Sequence, residues 1–294
     1  VYACYDFRDG EIEETAGEFS VKEIFFDTGD GKIFYRSLEA ESKPPILMIH
    51  GIGESGICFA DAVDYLENCN LIIPDLPGFG RSEPSIKKDY SIETQITKLW
   101  TMIDALNLKD INLIGHSYGG ILTTLMCKHD EKGRIKNYIN IEGPIAASNI
   151  IISNRAKAAH EDIDTNFTDW LFHGEFKKFI LEKLGFSSAI RYFESVRVCD
   201  PDAFAQSAVE ICKVAAPIND NNVNQIGFNY RELGKLPRVY CWGTKSGTMK
   251  DAVDFLEEND LDHKSFAGTH WLMLEERKEF YEFVKEFIGA SGNS

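Results

Sequence analysis

The stretch INLIGHSYGGILTTLMCK (residues 111–128) decides the fold. Its opening residues are β-forming and apolar, and YGGILTTLMCKHD (118–130) carries a helical pattern, so a strand runs into a helix with a single turn between them. The turn itself is Gly115-His116-Ser117-Tyr118-Gly119, which fits G-x-S-x-G. Glycines on either side of Ser117 leave room for the chain to reverse sharply, which projects the serine above the sheet at the positive end of the following helix. His116 is expected to point away from Ser117 and to pack. A strand that feeds a helix directly is the repeating unit of a parallel sheet.

Working outward, the same unit recurs. PILMIH (45–50), NLIIPD (70–75), KNYINIE (136–142), RVYCWG (238–243) and DHKSFAG (262–268) read as strands. VKEIFFDTG and GKIFYRSLE form an antiparallel hairpin through DTGDG, and SIETQITKLWTMIDALNL (91–108), MKDAVDFLEEN and EERKEFYEFVKEFI read as helices. The expectation is an α/β protein with a mostly parallel eight-stranded sheet flanked by helices. Between residues 144 and 236 the rhythm breaks into helical patterns without a convincing strand, one of them TDWLFHGEFKKFILEKLG (168–185). This predicts a helical cap inserted in a core made of 1–143 and 237–294. The tail GASGNS is expected to lack packed structure.

Composition narrows the partners. A net charge of −16 over 294 residues argues against nucleic acid and anionic membrane, both of which need a basic face. Seven cysteines without CxxC or pairing rhythm suggest reduced thiols and a cytoplasmic setting. VYACYDFRDGEIEE shows neither the basic nor the apolar region of a leader, and no apolar run is long enough to span a bilayer. The sequon at Asn166 reads as coincidence. No metal-ligand set stands out and the glycine loops lack a phosphate-binding pattern, so no cofactor is implied. Nothing in the sequence sets an oligomeric state.

Two further motifs carry chemistry. In HGIGES (50–55) the glycines allow backbone N–H groups to converge, and the N–H groups of Ile52 and Tyr118 would form an oxyanion hole. PDLPGFGRS (74–82) is a turn-rich loop that shapes the rim. A base is expected late in the chain, and AGTHWLMLEE supplies His270 after the last strand. His129, His160, His173 and His263 lie in helical or strand runs and read as packed or solvated.

With HGIGES, GHSYGG and GTHW in hand, the chain resembles the α/β-hydrolase superfamily, in particular its cap-bearing esterase, lactonase and dehalogenase-like branch. The resemblance runs from VKEIFF to EFIGA. It implies Ser117 as nucleophile and His270 as base. It departs at the acid: many members carry G-x-x-D after the penultimate strand, and here GTKS puts Ser246 in that slot. Asp251, Asp254 and Glu142 are the carboxylates to weigh. The first two fall within a helical run beyond the strand-end loop, whereas Glu142 ends the strand after the nucleophile helix. Some dehalogenases and zearalenone-lactonase-like hydrolases take a glutamate from that strand end, so the resemblance favours Glu142.

A serine in this position attacks an acyl carbon, which points to an ester or lactone, with a thioester in the same range. Hydrolysis of a carbon–carbon bond in a diketone-like substrate uses the same triad and fold. A non-catalytic small-ligand receptor is the rival of another class, resting on Ser246 alone. The cap is rich in rings. Trp170 and Phe172, with Trp271 beside the base, are expected to line a pocket for an apolar small-molecule substrate.

Overall fold

The computed structural model describes residues 21–40, 43–147, 150–218, 221–247 and 249–291. The reading of an absent leader on residues 1–14 lies outside them. Of the tail, Gly289–Ser291 prolong the last helix where no regular structure is expected, with Gly289 and Ala290 exposed, and 292–294 lie outside the described residues.

Eight strands form one sheet: β1 (Lys22–Asp27), β2 (Lys32–Leu38), β3 (Pro45–Ile49), β4 (Asn70–Pro74), β5 (Ile111–His116), β6 (Ile135–Ile141), β7 (Arg238–Gly243) and β8 (His263–Phe266). Their spatial order is β1-β2-β4-β3-β5-β6-β7-β8. β2 pairs antiparallel with β1 and β4, and every other pairing is parallel. The strands at the centre explain their own composition. PILMI of β3 and INLIGH of β5 are buried at every residue because helices cover both faces, whereas the edge strand β1 alternates and leaves Phe25 half exposed.

Two helices, α1 (Ala62–Tyr65) and α2 (Ile92–Ala105), connect the early strands, and Ser91 caps α2 by accepting from the Thr94 N–H at 3.3 Å. α3 (Tyr118–Lys128) follows β5 without a linker beyond Ser117. Between β6 and β7 come α4 (Ile151–Glu161), α5 (Phe167–Phe172), α6 (Glu175–Lys178), α7 (Ser187–Val196), α8 (Pro201–Val214) and α9 (Gln225–Arg231). The chain ends with α10 (Lys250–Glu258), α11 (Leu272–Glu275) and α12 (Arg277–Ser291).

The run 168–185, which reads as one helix, is interrupted. The Asp169 carbonyl accepts from both His173 and Gly174, which ends α5, and α6 passes at once into a π-helical turn over Phe179–Leu184. Asn166 is the cap of α5, its side chain accepting from Asp169 N–H at 3.1 Å. α9 packs on the sheet side of the segment: Tyr230 lies against Tyr138 of β6 and Tyr240 of β7, at centroid distances of 5.8 and 6.1 Å.

α7 and α8 sit directly on the loops at the C-terminal ends of the strands. A side chain on Gly53, whose φ is +71°, would come within 2.5 Å of Phe204 of α8 and 2.9 Å of the Tyr192 hydroxyl of α7. Asp200, the cap of α8, binds the loop after β4 through its N–H to Gly78 O (2.8 Å) and accepts from the Tyr90 hydroxyl (2.6 Å). Ser188 of α7 donates to Glu275, which also accepts from the Thr269 N–H. Among the described residues, six cysteines are free thiols, no helix is long and apolar enough to cross a membrane, and no cluster of side chains is set to hold a metal.

Candidate active site

The parallel order β3-β5-β6-β7-β8 brings five strand ends to one edge, and the residues singled out by sequence stand on it. Ser117 leaves β5 at φ 52° and ψ −117°, a conformation that costs about 1–3 kcal/mol and is held from both sides. Its N–H donates to Ile141 O (2.8 Å), and its carbonyl accepts from Gly120 N–H (2.8 Å). Gly119 is required by close approach, since a Cβ there would lie 2.2 Å from Ile49 O and 2.7 Å from His50 O. That contact presses the first turn of α3 against the loop of residues 50–55. Ile52 of that loop and Tyr118, which follows Ser117 directly, are both buried residues.

Glu142, one residue past β6, is 1 % exposed and adopts φ +47°. Its carboxylate is fully engaged. Oε1 accepts from the Gly243 N–H at 2.7 Å, and Oε2 accepts from His270 Nδ1 and from the Ser246 hydroxyl, each at 2.6 Å. Burial works to raise the Glu142 pKa, but the His270 charge and these hydrogen bonds hold it below the ordinary carboxylate value. Ser246, in the slot where an acid is expected, is thus a donor to the carboxylate from the neighbouring strand. Asp251 and Asp254 are excluded by position. Both lie on α10, where Asp251 accepts from Asn222 and Asp254 pairs with Lys250.

Glu54 and His116, neither of which carries a chemical role in the sequence reading, complete the floor together with Trp271. Glu54 Oε2 accepts from Gly51 N–H (2.7 Å) and faces His116 Nδ1 (2.8 Å), while Oε1 accepts from the Trp271 indole N–H at 2.6 Å. His116 Nε2 lies 2.9 Å from the carbonyl oxygen of His270, and the two imidazole rings are 4.7 Å apart. His116 does pack, but as a member of a polar network. Its position inside GHSYGG and that of Glu54 inside HGIGES were the available signals, although neither motif reveals that the two side chains meet.

Of the rings expected to line a pocket, Trp271 is buried between the His270 ring (5.3 Å) and Tyr192 (5.2 Å). Trp170 stacks on Phe167 and leans on Phe176, and Phe172 meets His173 edge-on, so the partners of both are rings of the same helical segment.

A strained serine between strand and helix, with a histidine–carboxylate pair at the ends of the neighbouring parallel strands, defines the α/β-hydrolase class of fold. The family model for the alpha/beta hydrolase fold matches residues 44–199, more than half of the chain, and the chain belongs to that family. It is similar to Lipase 3 of Moraxella sp. (strain TA144), 33% identical over 114 residues covering 38% of this chain and 36% of that protein. It is also similar to the (E)-2-((N-methylformamido)methylene)succinate hydrolase of Acinetobacter baylyi, 25% identical over 185 residues, 58% of this chain and 65% of that one. Among solved structures, a carboxylesterase of Nitrososphaera gargenis superposes with a TM-score of 0.70 at 17% identity, covering 92% and 99% of the two chains, a likeness of fold. The match spans about a third of the length of the lipase.

Proposed function

We propose that Ser117, His270 and Glu142 form the catalytic triad of a serine hydrolase that cleaves a carboxylic ester or lactone of an apolar small molecule through an acyl-enzyme. The observation that carries this reading is the 2.6 Å bond from His270 Nδ1 to a buried carboxylate, made on the same sheet edge as the strained Ser117. With Nδ1 donating to Glu142, Nε2 is left with the lone pair that a general base needs. Ser117 Oγ attacks the carbonyl carbon as His270 takes its proton. The oxygen, now negative, is received by the N–H groups of Ile52 and Tyr118. His270 returns the proton to the leaving oxygen, and a water activated by the same imidazole resolves the acyl-enzyme.

Ser246 lends no weight to a non-catalytic receptor, because its hydroxyl serves the acid. The similarity to a lipase and to carboxylesterases favours esters within the family. The six free thiols among the described residues support a cytosol-like compartment, and the net charge of −16 argues against a nucleic-acid partner.

The decisive experiment is labelling with a fluorophosphonate, which reacts only with an activated serine. A single adduct on the peptide containing Ser117, located by mass spectrometry, is expected. A folded protein that takes up no label would fit the receptor reading instead.

Selectivity is assigned to the helices between β6 and β7. α7 and α8, pressed on Gly53 and Gly78, act as a lid, and its rings favour apolar over charged groups. Across esters with one leaving group, kcat/KM is expected to be highest for apolar acyl or ring substrates, by about tenfold or more over an anionic acyl group of similar size. A preference for the anionic series would refute the assignment.

A further inference from the structure

We infer that Glu54 and His116 form a buried ion pair whose task is to position the oxyanion loop and the His270 loop against Ser117. This rests on the triad reading for its purpose, but the pair itself is argued from its donors and acceptors together with what surrounds them. The indole N–H of Trp271 and the backbone N–H of Gly51 only donate, so Glu54 accepts with both oxygens. The carbonyl of His270 only accepts, so His116 Nε2 carries a proton. His116 Nδ1 faces Glu54 Oε2, which already accepts from Gly51. Protons on both nitrogens satisfy every contact, with His116 an imidazolium opposite a carboxylate. A proton on Glu54 Oε2 facing a neutral ring would satisfy the same contacts, and the surroundings of the two groups favour the charged pair.

His50, equally buried and one strand away, shows the opposite setting. Its Nε2 accepts from Leu76 N–H and its Nδ1 donates to Gly51 O, both at 2.8 Å, so it is satisfied as a neutral ring. The surroundings agree with the difference. Burial lowers the His50 pKa below the ordinary value. Burial also acts downward on His116, yet the Glu54 charge and hydrogen bond, the His270 carbonyl and the more distant Glu142 charge raise it. For Glu54, burial acts upward, but His116 and the Gly51 N–H bring it down to about 2. The groups facing the pair are His50 and Gly51 of the loop after β3, Cys58 beyond it, Glu142 after β6, Tyr192 of α7, and His270 with Trp271.

The geometric consequence is specific. His116 adjoins Ser117 in the chain and grips the carbonyl of the residue whose ring acts as base. Glu54 adds the backbone of Gly51, next to the oxyanion donor at Ile52, and the side chain of Trp271. Three segments distant in sequence are thus tied by one charge pair. Neither residue touches the reacting atoms in this account; both are positioning residues.

Histidine side-chain ¹⁵N NMR on the whole chain tests the pair directly, with the resonance assigned by its loss in His116→Gln. At pH 7, above the usual histidine value, His116 is expected to keep both ring protons in the wild type. A neutral, singly protonated ring there overturns the ion pair. Glu54→Gln offers one acceptor where two are needed. His116 is then expected to lose a proton, and kcat to fall about 10²-fold with KM within about threefold, as for a misplacement of the base. An unchanged kcat in that variant overturns the positioning role. If Glu54→Gln does not fold, the wild-type spectrum still decides the pair. Failure of the triad reading shows separately, as wild-type protein that takes no fluorophosphonate.

Discussion

Ser117→Ala is expected to lower kcat on short-chain aryl esters by ~10³-fold or more while leaving the fold intact. The size follows from what is removed. The hydroxyl is the only atom that would form the covalent bond to substrate, and without it His270 has no proton to accept in the first step. What remains is the pair of N–H groups at Ile52 and Tyr118, which still stabilise an oxyanion if water attacks directly, so a residual rate above the uncatalysed one is expected. Stability should change little. The strain at φ 52° resides in the backbone and is held by the bonds to Ile141 O and from Gly120 N–H, neither of which involves the hydroxyl. Steady-state kinetics with the variant's melting temperature as a control separates the two effects. A variant that keeps most of the esterase rate would show that Ser117 is not the nucleophile.

Much of the fold is legible in the sequence. The hairpin, the eight strands and the elbow are local patterns, written in the period-two and helical spacing of apolar residues, and they reappear within a few residues of their expected bounds. The 2.6 Å contact of His270 with Glu142 joins the two positions that the family resemblance singles out, one after the last strand and one at the strand end beside the elbow. What the sequence withheld is of two kinds. Helix α9 was missed because QIGFNYR is too short to show a period, and the break after Phe172 because it depends on one carbonyl taking two donors. The Glu54–His116–Trp271 network was missed because its members are separated by 62 and 217 residues. No spacing rule links positions that far apart, and only the fold brings them together. Ser246 falls between these cases. It was visible as a departure from the expected acid, but the bond that explains it crosses from β7 to β6.

That bond sets the terms for the second large effect. Glu142→Gln is expected to depress kcat by ~10²–10⁴-fold with the fold preserved. The glutamine oxygen can still accept from Gly243 N–H, as Glu142 Oε1 does. Its amide nitrogen then takes the place of Oε2 and presents hydrogens where His270 Nδ1 and the Ser246 hydroxyl now donate. Ser246 can rotate to accept, but the imidazole has to move its proton to Nε2 to relieve the conflict. That tautomer has no lone pair facing the serine, and no anion is left to balance the imidazolium. Loss of the base and loss of its counter-ion therefore act together. Ser246 allows a complementary test, because its oxygen and His270 Nδ1 lie within 2.6 Å of the same carboxylate oxygen. In a Glu142→Ala background, Ser246→Asp would place an anion in the space vacated by Glu142, approached from β7. Partial recovery of kcat, with the acid limb of the pH–rate profile restored, is the expected result. Full activity in Glu142→Gln would be fatal to the assignment, since Asp251 and Asp254 are already engaged on α10 by Asn222 and Lys250. An imidazole that needs an anion would have it in Glu142, which the serine in the usual acid slot and the Gly243 N–H hold together.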